Sequence, residues 1–290
     1  MSEEEWYLID LKSRFDKIKP NTYYLSYSGG KDSHLLYWFI KEYLKWDDIK
    51  IVGINSYMEH HEIIQRIRAN CDIILNPKIK PFELKEKYGI PCFSKQQDEF
   101  IKRYQNGSRT KNTMKFVLGE NPIFKLNTKA KELLLKNELH KISPDCCKYL
   151  KKKTVHEFEK ETGLKAILGV RGDEGAMRKR AYTKCFTKDK KFTPLWDLTD
   201  ELEDKIYKKY NIEIPKVYKY VRRTGCMGCP YSKKNVNNIE NILRELETLY
   251  PAQRNFVREY FKESYKLLGV PDVIEKQTTI FDFMEDKWKK

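Results

Sequence analysis

The stretch from Thr22 to Leu44 constrains the fold most. Thr22-Tyr23-Tyr24-Leu25-Ser26-Tyr27 is β-branched and aromatic, while Leu35, Leu36, Phe39, Ile40, Tyr43 and Leu44 recur at helical spacing. Between them lies the turn Ser28-Gly29-Gly30-Lys31-Asp32-Ser33. A strand running through a glycine turn straight into a helix opens a βαβ unit, and the chain keeps alternating. Further strands are predicted at 50–55, 72–75 and 165–170, with a last extended piece at 192–196. Helices are predicted at 59–69, 81–88 and 146–162. Parallel neighbours need helical crossovers, so this alternation predicts an α/β fold with a parallel sheet flanked by helices.

Three regions are predicted. Residues 1–20 form an N-terminal helix over 3–18, with Trp6, Leu8, Ile9, Leu11, Phe15 and Ile18 as its apolar stripe and Pro20 as its stop. Residues 21–198 form the α/β domain, interrupted at 93–143 by polar, Lys-rich helices (96–104 and 129–139) that are expected to cover one rim of the sheet. Residues 199–290 form a helical C-terminal region, with amphipathic segments at 200–210 and 239–268 flanking the turn Arg222-Arg223-Thr224-Gly225-Cys226-Met227-Gly228-Cys229. No apolar run approaches the ~20 residues that cross a bilayer, and the start MSEEEWYLID is acidic where a signal peptide is basic. A soluble, cytoplasmic protein without a membrane partner is expected. Seven cysteines in such a chain favour reduced thiols or metal ligands over a disulfide framework.

The turn at 28–33 suits an anion. Two glycines let the backbone turn tightly and present N–H groups, the helix N-terminus adds partial positive charge, and Ser28, Lys31 and Ser33 can bond phosphate oxygens. Neither the Walker spacing nor GxGxxG is present. The plainer explanation is a strand-to-helix turn that uses Gly, Asp and Ser as turn and cap residues.

SGGKDS resembles the PP-loop of the adenine nucleotide alpha hydrolase superfamily, and the wider pattern is similar to its phosphoadenosine phosphosulfate reductase-like members. Asn55, Glu59 and Glu62 match an NTGxExPE segment, with Tyr57 and His61 departing from it. Ile90 to Lys95 echoes a segment ending in Ser-Lys. Gly169 to Arg178 resembles GxRxxES with a following arginine, with Gly175 in the place of serine. The resemblance implies a Rossmann-like sheet of PP-loop/HUP type. It also implies an adenine nucleotide held by Ser28, Gly29, Gly30, Lys31, Asp32 and Ser33, with Gly53 and Ile54 near the adenine. Asp32 would help place Mg²⁺ with ATP. Arg171 and Arg178 can clamp phosphate or sulfate oxygens, with Glu174 orienting one of them. Lys31, Asp32, Arg171 and Arg178 are the catalytic candidates.

Cys146-Cys147 and Cys226-x-x-Cys229 together supply four thiolates, a full shell for a [4Fe-4S] cluster or for zinc, with redox or structural thiols as the remaining reading. The layout resembles that of assimilatory adenylylsulfate reductases. Three functions stay open. The first is ATP-dependent activation of an acceptor followed by cluster-assisted sulfur transfer; the excess of 57 Lys and Arg over 42 Asp and Glu suits a DNA or RNA acceptor. The second is adenylylsulfate or phosphoadenylylsulfate reduction with an external thiol or electron donor. Residues 230–290 hold no cysteine, so its nucleophile falls to Cys185, Cys71 or another protein. The third is a non-catalytic DNA-binding sensor of nucleotide or cluster.

Overall fold

The computed structural model describes residues 1–120, 125–174, 176–219, 221, 224–232 and 236–271. In chain order the elements are α1 (Glu3–Phe15), β1 (Tyr23–Tyr27), α2 (Lys31–Trp38), β2 (Lys50–Ile54), α3 (His61–Asn70), β3 (Ile73–Leu75), α4 (Pro81–Tyr88), α5 (Lys95–Gln105), α6 (Lys111–Leu118) and α7 (Thr128–Leu135). They continue with α8 (Lys153–Thr162), β4 (Lys165–Ile167), α9 (Ala176–Ala181), α10 (Asp200–Lys209), α11 (Val236–Leu249) and α12 (Pro251–Leu268). The described residues group into two compact units. The first comprises Met1–Lys87 with Asp145–Met227, and the second Tyr88–Pro144 with Gly228–Lys290.

The first unit is an α/β layer built on a four-stranded parallel sheet of order β3-β2-β1-β4. Leu25 of β1 stands opposite Ile51 on one side and Ile167 on the other. β1 is buried on both faces, which is why its sequence reads as apolar and aromatic without strict alternation. The chain leaves β1 toward β2 and β3, then returns on the opposite side as β4. The chain thus reverses direction between β1 and β4, and the carboxyl ends of strands at such a reversal are the place where open α/β sheets bind ligands. Tyr24, Val52, Phe158 and Ala166 close one face of the sheet.

α1 begins with Ser2, whose N–H donates to Glu5 Oε2 (2.9 Å), and buries Leu8, Leu11 and Phe15. Phe15 packs edge-on against Phe192 and tilted against Phe39. Arg14, also buried, is bound by both carboxylate oxygens of Asp197 and by the Pro194 carbonyl.

The second unit has its own core of Cys92, Ile101, Phe116, Val117, Ala130, Leu134 and Ile142, against which Leu267 and Leu268 pack. Asp98, fully buried, accepts N–H bonds from Cys92 and Phe93 and the hydroxyl of Tyr231 (2.7, 3.0 and 2.6 Å). The 93–143 insertion therefore folds with Tyr231 and with the Leu267–Leu268 end of α12.

Several predicted bounds move for local reasons. The helix expected over 3–18 stops at Phe15, and Ile18 is buried in the turn that follows. The strand expected to reach Val170 ends at Ile167 and the chain turns at 168–170. The extended piece at 192–196 contributes one bridging residue, Phe192, beside Ile167. The segment at 239–268 is two helices broken at Pro251. α6 was not foreseen: Thr110 caps it and Gly119, at φ +83°, ends it.

Candidate functional site

The turn between β1 and α2 is braced from within. Gly29 adopts φ +76°, and a Cβ there would meet the Ile63 side chain at 2.9 Å and its carbonyl at 3.1 Å, so only glycine fits. The Ser28 N–H donates to Ser33 Oγ (3.2 Å), and Ser33 Oγ donates to the Gly30 carbonyl (3.0 Å). Gly30 is the N-cap of α2, in extended conformation. Gly169 approaches so closely that a Cβ would lie 2.8 Å from both the Asp32 carbonyl carbon and the Ser33 nitrogen. The turn after β4 is thus pressed onto the first turn of α2, which accounts for the early end of β4.

The structure brings Lys31, Asp32 and Arg171 together, and adds three carboxylates from α10. Arg171 is 6% exposed; it donates to Asp32, to Asp200 (2.7 Å) and toward Glu203 (3.3 Å). Lys31 Nζ lies 2.7 Å from Asp204 and 3.3 Å from Glu203. Burial works against the Lys31 charge, but Asp204 and Glu203 outweigh it and hold its pKa above the usual lysine value. Glu203 is 1% exposed, with Oε1 lacking a hydrogen-bond partner. Burial, with the Asp32 charge beside it, pushes its pKa up to about 7 against the pull of Arg171 and Lys31. The Asp32 carboxylate expected beside Mg²⁺ is engaged by Arg171. Asp200 and Glu203 were missed in sequence; the signal was the run of acids at 200, 203 and 204 on one turn of a Thr199-capped helix.

α10 and the segment after it lie on the turn. Tyr207 Oη donates to the Lys31 carbonyl (2.7 Å), and the Lys31 N–H donates to Tyr218 Oη (2.8 Å). Both Glu62 carboxylate oxygens accept from this segment, from the N–H groups of Lys216 and Val217 (2.8 and 3.0 Å). Of the other nucleotide candidates, Ile54 ends β2. Gly53 is glycine because α3 packs tightly on it: a Cβ would meet Ile67 at 2.6 Å and Cys71 Sγ at 2.7 Å. Arg178 stands half-buried on α9, while the Glu174 side chain and Gly175 lie outside the described residues.

Solved structures with a similar arrangement include phosphoadenylyl-sulfate (PAPS) reductase from Candida auris, at 12% identity over 78% of this chain and 96% of that one, with a TM-score of 0.42. Another is the U34-tRNA thiolase NcsA from Methanococcus maripaludis with its [4Fe-4S] cluster, at 15% identity over 94% and 82% and a TM-score of 0.38. A third is the NH3-dependent NAD synthetase from Campylobacter jejuni, at 12% identity over 94% and 97% and a TM-score of 0.36. No family model and no curated protein matches the chain. Among the described residues no helix is long and apolar enough to cross a membrane.

The α/β unit also contains a thiol corner. None of the seven cysteines is in a disulfide. Cys226 is within electrostatic reach of Lys151, Glu59 and Cys147. Lys151 Nζ pairs with buried Glu59 (3.1 Å), which also accepts the Ser56 N–H (2.9 Å). Burial pushes the Cys226 thiol up and outweighs the pull of Lys151 toward thiolate, with Glu59 and Cys147 adding to the rise. Burial opposes the Lys151 charge too, but Cys226, Glu59 and Cys147 hold it well above the usual value.

The expected shell of Cys146, Cys147, Cys226 and Cys229 is not assembled among the described residues, where no group of three or more His, Cys, Asp or Glu side chains is gathered as for a metal. Four unbridged thiols are suitable donors for iron or zinc. In this arrangement Cys147 and Cys226 share their corner with Lys151 and Glu59. Cys229 belongs to the second unit, where Gly228, at φ +57°, packs on Tyr265 and Val257 and accepts the Tyr265 hydroxyl at its carbonyl (2.6 Å).

Proposed function

We propose that this protein binds the phosphates of ATP at Ser28–Ser33 and uses the nucleotide to activate an acceptor for sulfur transfer. One observation carries the reading: the glycine turn sits at the reversal between β1 and β4, and Lys31 and Arg171 both reach Glu203 there. ATP enters as its Mg²⁺ complex, as a substrate. An acceptor oxygen attacks the α phosphorus, forming a new P–O bond while the bond to the β-phosphate breaks and pyrophosphate leaves. A sulfur nucleophile then displaces AMP from the adenylated acceptor. Lys31 and Arg171 stabilise charge on the phosphate oxygens, provided they exchange their present carboxylate partners for phosphate. The high positive charge of the chain suits a polynucleotide acceptor.

One of the thiols that sulfonucleotide reduction could use is disfavoured. Burial, and next the charge of Asp72, push Cys71 up to about 12, and its sulfur packs where a Gly53 side chain would be, so it is a poor nucleophile. Calorimetric titration with ATP and Mg²⁺ tests the reading. Lys31→Ala is expected to weaken binding by about 10- to 100-fold, the range of charge-assisted hydrogen bonds; unchanged affinity refutes the loop assignment. Incubation with ATP should release pyrophosphate once an acceptor is supplied. Sulfite release from adenylylated sulfate would establish the reductase instead.

A further inference from the structure

Two hydroxyls stand on the PP-loop where an anion would bind. The Lys31 N–H, in the first turn of α2, has no acceptor within its helix and donates to Tyr218 Oη. On the open side of Gly30, a Cβ would meet Thr224 Oγ1 at 2.6 Å and Tyr218 Oη at 2.9 Å; the two hydroxyls are 3.2 Å apart. Phosphate and these hydroxyls therefore compete for one small volume and for one N–H. The two hydroxyls differ in what they are attached to. Tyr218 follows directly on Lys216 and Val217, whose N–H groups are held by Glu62. Thr224 is joined through exposed Gly225 to Cys226, in the corner with Lys151, Glu59 and Cys147.

From this juxtaposition we infer that Tyr218 and Thr224 form a hydroxyl latch coupling the PP-loop to Cys226: phosphate entering the loop takes the Lys31 N–H, expels the Tyr218 hydroxyl and shifts Thr224, and with it Cys226. The inference rests on the nucleotide reading above and adds a link between the nucleotide and the sulfur chemistry. While the latch is closed, the Lys31 N–H and the two hydroxyls bond one another and the Cys226 thiol stays half-buried in its corner. Opening exposes the thiol only when nucleotide is in place. Coupling is reciprocal, so a change that loosens the latch raises nucleotide affinity and Cys226 exposure together.

The test measures ATP affinity by calorimetry and, by peptide mass spectrometry, the rate at which iodoacetamide alkylates Cys226 in the protein as purified, with and without ATP and Mg²⁺. In the wild type, ATP is expected to raise the Cys226 rate several-fold. Tyr218→Phe, which removes the hydroxyl and keeps the ring, should bind ATP about three- to tenfold more tightly, the range of one net hydrogen bond, and should show the faster alkylation without ATP. Thr224→Val should act in the same direction and replaces Tyr218→Phe if that variant does not fold. If ATP binds but both variants bind it equally or more weakly, or Cys226 alkylation ignores ATP or slows with it, the latch is refuted and the nucleotide reading stands. If ATP binds neither the wild type nor the variants, the nucleotide reading fails and the latch with it.

Discussion

Two lysines in the α/β unit invite comparison. Lys31 lies among carboxylates, Glu203 and Asp204, with Arg171 and Asp32 beyond them. Lys151 lies between one carboxylate, Glu59, and the sulfurs of Cys226 and Cys147. Both are held above the usual lysine value, but for different reasons. Lys31 is already paired with carboxylates, so a phosphate must trade places with a carboxylate. The partners of Lys151 include thiols, neutral until they lose a proton, so its ammonium has charge left to stabilise an anion formed on sulfur. The first corner is arranged to exchange anions and the second to create one.

Breaking the first corner should have the largest effect. Arg171→Ala leaves Asp32 and Glu203 without their shared cation in a buried place and is expected to cost about 3–5 kcal/mol of stability, read as a lower urea midpoint. A loss under about 1 kcal/mol would mean that the cage is no more than a solvated surface network. In the second corner, Lys151→Met should push the Cys226 thiol further up, making its alkylation several-fold slower near about pH 8 and displacing the pH profile upward. An unmoved profile would show that the ammonium does not act on the sulfur.

The smallest effect is a slope. Glu203, raised from 4.5 to about 7, keeps in the folded state a proton that the unfolded chain has lost. Stability contributed at this site therefore falls as pH rises from about 4.5 to about 7 and stays low above it. Glu203→Gln cannot titrate, so the wild-type urea midpoint minus that of the variant should decline across this window. A flat difference would indicate that Arg171 and Lys31 keep Glu203 ionised throughout.

The part of the site legible in sequence is the part made by neighbours in the chain. Ser28 to Ser33 are contiguous, and the switch from strand to helical periodicity around them places the turn at the end of β1 without reference to any other segment. Arg171 could be placed beside them because it ends another predicted strand of the same sheet. Glu203, Tyr218 and Thr224 were not legible. An acidic turn on an amphipathic helix reads as a solvated face, and tyrosine and threonine in a loop carry no periodic signal. The paired spacing of the four cysteines suggests a common shell from sequence, and the tertiary structure adds to it what spacing does not carry, the Lys151 and Glu59 charges within reach of Cys147 and Cys226.

By itself the sequence determined the alternation of strand and helix, the parallel sheet it requires and the glycine turn at the end of β1, because each follows from local periodicity and from backbone conformations that glycine alone adopts readily. Only the tertiary structure decided what surrounds that turn. Asp32 and Arg171 are 139 residues apart and Lys31 and Tyr218 are 187 apart. Ion pairs and hydrogen bonds over such separations depend on how the whole chain buries its apolar surface, which no short stretch of sequence encodes.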